Sequence, residues 1–477
     1  MAIVSPIFIL FIVVASVQHY VLPRALRTPF LFLSGLVFAA LINLYGALFL
    51  LISMTLAFAF GRAVGAAKSP NGRRLMLTVL ILIELSGLLF FKIYRLFIEP
   101  VRISFGPQTS DILDFMLPVG ISFYALRSIL YVLSVYRSAQ NMETNFFVVG
   151  SYVGMYPFQI AGPIYSPEQM IRQIKRAARP SERRVRIGLR EMARGLFEKI
   201  ILANTFGHLA QFIIQEDQLI HYEAISVSVL TAFVLYIDIL AYLHIAGGMA
   251  LLLGFRKVPD RRTKNPVPLV PFALQTTSTP QALLTCLLFS LWLGLSDLFL
   301  VGVALFCAPS LIRGIGRRIG AKTDRSVTKV RQGGGEVGAT LFRGLRAGAV
   351  RLYLSLAATF FWLKDWRQVS DFLAKMFAFG GLRKVISDFN NIFYFAYQNL
   401  EIIPALFKYS ALLGLAVWIV TQVRVHYKRK NRMRTLRENK CTGSFVPAVL
   451  LIVWLMASYW VEWSLFGESY PFLLIRF

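Results

Sequence analysis

Apolar runs of membrane-spanning length recur along the chain, and each closes on a short polar or basic segment. Met1 to Leu22 is apolar, and Arg24 and Arg27 follow it. No basic residue precedes that run, the wrong order for a cleaved signal peptide, so the pattern predicts a retained span with its N-terminus outside. Thr28 to Phe60 is broken near Asn43 and Gly46 and closed by Arg62, Lys68, Arg73 and Arg74, which predicts two spans. Leu75 to Phe91 predicts a crossing outward, Glu99 to Asp111 an external loop around Gly106 and Pro107, and Phe115 to Val135 the return. Ile200 to Leu253 predicts two crossings, the second over Thr231 to Leu253 with Asp238 and His244 inside it. Val350 to Leu363, Ile402 to Gln422 and Phe445 to Trp463 complete a set of about eleven or twelve spans.

Two stretches depart from this rhythm. Asn145 to Ile164 holds Gly150, Gly154, Pro157, Gly162 and Pro163, too many breakers for one clean helix. Irregular backbone survives at membrane depth only when protein or a polar cavity surrounds it, so a re-entrant or broken segment near the core is predicted. Glu168 to Lys199 interleaves arginines with Met170, Ile171, Ile174, Val185, Leu189, Met192 and Leu196. That spacing predicts a pair of basic amphipathic helices on the cytoplasmic surface, with Glu198 and Lys199 at their end among the headgroups.

The run Gln281 to Ser310, about thirty residues, is polar only at its centre, Trp292-Leu293-Gly294-Leu295-Ser296-Asp297. A single span needs roughly 20 residues, so the run reads as two short helices in a hairpin with that hexapeptide as its tip. Basic segments at Arg256 to Lys264 and Arg313 to Lys322 put both ends of the hairpin in the cytoplasm.

Composition gives the class. The chain has 477 residues, 56% hydrophobic and 16% charged, and a mean hydropathy of +0.61. A soluble domain of this size would be nearer about 45–50% apolar, so the expectation is an all-α polytopic membrane protein. The net charge of +27 would suggest nucleic acid in a soluble protein. Here the charge falls in the loops, near 168–199, 313–346 and 424–440, where positive-inside topology and anionic lipid headgroups account for it. Membrane lipids are therefore the expected partners, and nucleic acid is not. The three cysteines, Cys286, Cys307 and Cys441, offer neither a disulfide framework nor a metal cluster.

Five stretches in order carry a resemblance: LPVGISFYALRSILYVLSVYR (Leu117 to Arg137), YPFQIAGPI (Tyr156 to Ile164), GLFEKIILAN (Gly195 to Asn204), YIDILAYLHIAGGMALLLGF (Tyr236 to Phe255) and the terminal PFLLIRF. Together they resemble the membrane-bound O-acyltransferase family, in the branch of the bacterial alginate O-acetylation and teichoic acid D-alanylation membrane proteins. The resemblance covers Leu22 to Phe477 and implies one domain over 1–477, many tilted helices around a central funnel, in the bacterial inner (cytoplasmic) membrane. It implies transfer of an acyl group from a cytoplasmic thioester to an acceptor on the outer side. It also implies an essential histidine in a Trp-His-Gly-like tip and, upstream, a block rich in Arg and Trp with a second histidine. Such a base is needed because a sugar hydroxyl is a weak nucleophile until its proton is taken.

At the decisive positions the chain differs. Leu293 stands where the histidine would be, beside Trp292, Gly294 and Ser296, and no Arg-Trp block or histidine lies between Phe255 and Trp292. The fallback candidates are His244, Asp238 and Asp297, ionisable groups inside apolar runs. His244 takes a place that is commonly acidic in the family. It lies six positions from Asp238, about 240° around a helix, so the two make no ready dyad. A histidine bonded to a neighbouring helix is the plain reading of His244, and a helix cap that of Asp297. The expected function is an acyltransferase-like subunit without the usual catalysis, working with proteins that assemble an envelope polysaccharide, and without a cofactor. The alternatives are a divergent active enzyme using acyl-CoA or an acyl carrier thioester as donor, and a lipid-handling or transport protein reusing the funnel.

Overall fold

A computed structural model of the chain describes residues 6–105, 120–159, 165–176, 181–215, 221–255 and 366–376, with scattered positions between 301 and 363 and between 451 and 455. The described residues are helical, without a strand among them, as expected of an all-α membrane protein. By length and composition Arg24–Ile42, Leu44–Ala66 and Ala224–Leu252 suffice to cross a bilayer. The tip at Trp292 to Asp297 and the basic segments 313–346 and 424–440 lie outside the described residues.

Two compact units divide the chain: Met1–Ile200 with Ala241–Arg261 and Glu438–Arg476, and Ile201–Leu240 with Arg262–Arg437 and Phe477. In the first, α1 (Pro6–Val21), α2 (Arg24–Ile42), α3 (Leu44–Ala66), α4 (Pro70–Phe105), α5 (Ile121–Arg137) and the short α6 (Phe146–Val153) precede the amphipathic pair α7 (Pro167–Arg176) and α8 (Glu182–Phe197). Helix α9 (Thr205–Gln215) follows, then the long α10 (His221–Leu252) and, much later, α11 (Trp366–Met376).

The break expected near Asn43 is a helix junction. The Asn43 side chain accepts from the amides of Tyr45 at 2.8 Å and Gly46 at 3.4 Å, capping α3. Arg27 folds back on the end of α1, its guanidinium donating to the carbonyls of Leu22 at 3.1 Å and Tyr20 at 3.2 Å. Lipid is as apolar as leucine, so helices here gain their association from close packing and hydrogen bonds. Gly35 shows this: a Cβ there would meet the Gly154 carbonyl oxygen at 2.2 Å.

Through Gln159 the expected segment is broken and its backbone is satisfied by side chains, while 160–164 lie outside the described residues. Arg127, buried in α5, donates to the carbonyls of Tyr152 at 3.2 Å and Met155 at 3.4 Å, at the negative end of α6. Gln159 donates to Gly35 and Gly154, both at 2.7 Å. Tyr156 packs edge-on to Phe11 with ring centroids 5.2 Å apart.

The first part of one expected loop, Glu99 to Phe105, is helix. Helix α4 continues through Glu99 and Pro100 to Phe105. Pro100 removes a single amide donor and does not break the helix; Gly106 and Pro107 lie outside the described residues. Helix α11 was not predicted; its 11 residues are too few to stand out as an amphipathic run.

Candidate functional site

The site grows out of the way α8 ends. Its sequence passes from the basic amphipathic pattern into Glu198-Lys199-Ile200-Ile201-Leu202-Ala203-Asn204, and these 7 residues form a π-helix between α8 and α9. π-Helical turns are rare and recur at functional sites, because the wider turn re-aims side chains that a regular helix would space differently. All of the segment is buried.

Glu198 and Lys199 therefore do not meet headgroups, which corrects the expectation for them. Glu198 is 1% exposed and Lys199 fully buried. The apolar Ile200 to Ala203 that follows them is what draws the turn inward, and that run was the signal in the sequence.

The Glu198 carboxylate divides its two oxygens. Oε1 accepts from Arg194 Nε at 2.9 Å, one turn back on α8. Oε2 lies 2.5 Å from His244 Nδ1 on α10. A carboxylate is an acceptor only, so the pairing places a ring proton on Nδ1, and in the neutral ring the lone pair is then on Nε2. The side chain of His244 is 18% exposed and that of Arg194 40%, so the trio opens from a dry carboxylate toward its two partners.

Glycines make this approach possible. A Cβ on Gly195 would meet the Ala241 carbonyl oxygen at 2.5 Å and Ile245 Cγ1 at 2.7 Å. A Cβ on Gly248 would meet the Gly188 carbonyl oxygen at 2.7 Å. The backbones of α8 and α10 thus touch, antiparallel, over two turns, and Glu198 reaches the ring one turn beyond Gly195. The C-terminal end of α10 is held by Arg184, which donates to the Gly254 carbonyl, and by Tyr20, whose hydroxyl donates to the Leu252 carbonyl at 2.6 Å. Tyr242 ties the same helix to the broken segment, donating to the Pro157 carbonyl at 3.3 Å.

Of the residues singled out in the sequence, His244 sits in this trio, bonded to a neighbouring helix as its plain reading had it. Asp238 lies six positions earlier on α10 and is fully buried. Trp292, Leu293, Gly294, Ser296 and Asp297 lie outside the described residues. Among the described residues no group of three histidine, cysteine or acidic side chains is placed to hold a metal ion. The chemistry available to the trio is proton handling: an oriented imidazole with a basic Nε2, and a carboxylate to stabilise the imidazolium.

No family model matches the chain. It is similar to the probable alginate O-acetylase AlgI of Azotobacter vinelandii, 25% identical over 201 residues, 41% of this chain and 40% of that protein. The protein of the same name from Pseudomonas aeruginosa is 27% identical over 197 residues, 41% of this chain and 37% of that one. The peptidoglycan O-acetyltransferase of Helicobacter pylori is 25% identical over 285 residues, 53% of this chain and 54% of that one. The chain thus matches about two fifths to about half of the length of these relatives. Their names, all of O-acetylation, agree with the resemblance its motifs carry.

Proposed function

We propose that this protein is an acyltransferase-like subunit of the bacterial inner membrane, non-catalytic itself, that serves proteins making, modifying or exporting an envelope polysaccharide. The observation that carries the reading is Leu293 at the position of the expected histidine, with no Arg-Trp-histidine block between Phe255 and Trp292. Leucine has no lone pair to take a hydroxyl proton. Removal of a positioned base typically costs about 10²- to 10⁴-fold in rate. The names of the similar proteins, which act on alginate and peptidoglycan, support a polysaccharide of the envelope as the polymer. Purified protein given acetyl-CoA or an acyl carrier thioester with a polysaccharide acceptor is expected to show no transfer above background. Leu293→His is expected to create none, since a base without its positioning partners contributes little. Transfer by the natural sequence overturns the reading.

The Glu198–His244 pair favours a second reading, a divergent O-acyltransferase with a relocated base. In it the acceptor hydroxyl oxygen bonds to the acyl carbon, the thioester C–S bond breaks, and the hydroxyl proton passes through His244 Nε2 to the leaving thiolate. Asp238 and Asp297 are the other ionisable candidates. Transfer that disappears in His244→Ala with folding intact decides for this enzyme, with the thioester as its donor.

A further inference from the structure

Away from the trio, three helices of the first unit bury a carboxyl group at mid-helix. Glu84 lies near the middle of the apolar run of α4 and is 7% exposed. Ser53 of α3 donates to its Oε1 at 2.6 Å. Helix α5 packs on the same helix and presents Tyr124 and Ser128 one turn apart, both buried, with the carboxyl beside them. The Tyr124 hydroxyl has no hydrogen-bond partner in this packing. No Lys, Arg or His is paired with Glu84 among the described residues; Arg127 of α5 donates through Nη1 to the carbonyls of Tyr152 and Met155 instead.

A carboxylate without a cation is among the most costly groups to hold in a dry interior, and burial is relieved when it takes up a proton. Ser53 can satisfy one oxygen of either form, but only the neutral acid offers a proton to a hydroxyl such as that of Tyr124. We propose that Glu84 is an intramembrane proton-binding site, a neutral carboxyl among Ser53, Tyr124 and Ser128 that exchanges a proton with the aqueous phase. It is independent of the acyltransferase readings, since it shares no residue with the trio or the tip.

A neutral carboxyl in an apolar setting reacts with a lipid-soluble carbodiimide. Its oxygen bonds to the central carbon of the reagent and its proton moves to a reagent nitrogen. Nothing leaves, and the adduct rearranges to a stable N-acylurea. The full-length protein in detergent micelles, treated with dicyclohexylcarbodiimide and digested for mass spectrometry, is expected to carry the adduct on the peptide containing Glu84. The labelling rate is expected to fall about tenfold per pH unit above the midpoint of the group, following the neutral fraction. Glu84→Gln is expected to remain folded and lose the adduct, and the pH profile of the wild-type protein stands as a second test should that variant fail to fold. Absence of the adduct in folded protein, or a rate flat with pH, overturns the proposal. Protection by sodium ion at constant pH also overturns it, because the occupant is then a metal cation.

Discussion

His244 Nδ1 and Glu198 Oε2 stand 2.5 Å apart although 46 positions separate the two residues in the chain. The contact joins a π-helical turn to a long apolar helix, and Arg194 completes it from the exposed side. Its energetic weight lies in the cost of leaving a buried carboxylate half-satisfied.

Glu198→Gln keeps the shape and removes the charge. It is expected to lower stability by about 1.5–3 kcal/mol, the range for hydrogen bonds to charged groups. His244→Ala should cost much less in that background than in the wild-type protein, a coupling above about 0.5 kcal/mol. Unfolding of the four proteins in one detergent measures the cycle, and strictly additive costs would refute the pairing.

Two glycines should respond to the same substitution with opposite signs. Gly195→Ala drives a methyl group into the Ala241 carbonyl, 2.5 Å from its ideal position. The helix-propensity gain of about 1 kcal/mol is outweighed by about 1–3 kcal/mol of overpacking. Gly87 of α4 has nothing within 4 Å of such a methyl group. Gly87→Ala is expected to raise the unfolding temperature where Gly195→Ala lowers it.

Glu168 supplies a pH test on the surface pair. Burial alone would raise its carboxyl, but hydrogen bonds from Ser134, from its own amide and from Ser166, with Arg137 nearby, outweigh that and hold it below the usual value. A depressed folded value means stability that is present above the unfolded pKa, near 4.5, and is lost as pH falls through the folded one. The group is only half-buried, so solvent screening keeps the effect small. The difference in unfolding temperature between wild type and Ser134→Ala is expected to shrink as the medium is acidified below pH 4.5, and a constant difference would count against it.

Topology is testable at exposed positions of α8. Arg183 and Arg190 lie on its solvent-facing side. Cysteine placed at either is expected to react with an impermeant maleimide only in inverted vesicles or broken cells, the outcome that the positive-inside bias predicts for basic blocks. Reaction in intact cells at either position would reverse the arrangement.

Much of the fold was legible because the bilayer imposes one rule on backbone and another on charge. Apolar length, the polar break at Asn43, the glycine and proline cluster after Gly150 and the arginine spacing of α7 and α8 each act over a few neighbouring residues. So a reader of the chain recovers the junction at Asn43, the break before Gln159 and the amphipathic pair. The reach of α4 past Glu99 was hidden because a single proline weakens a helix without ending it.

The sequence by itself determined an all-α membrane protein and the position of His244 inside an apolar helix. Only tertiary structure decided which group the imidazole meets. Glu198 reads in the chain as the last polar residue of a surface helix, and it becomes the partner of His244 because Gly188, Gly195 and Gly248 let two backbones touch and a π-turn carries the carboxylate inward. Side-chain pairing across 46 positions depends on where two helices cross, and no local pattern encodes that crossing.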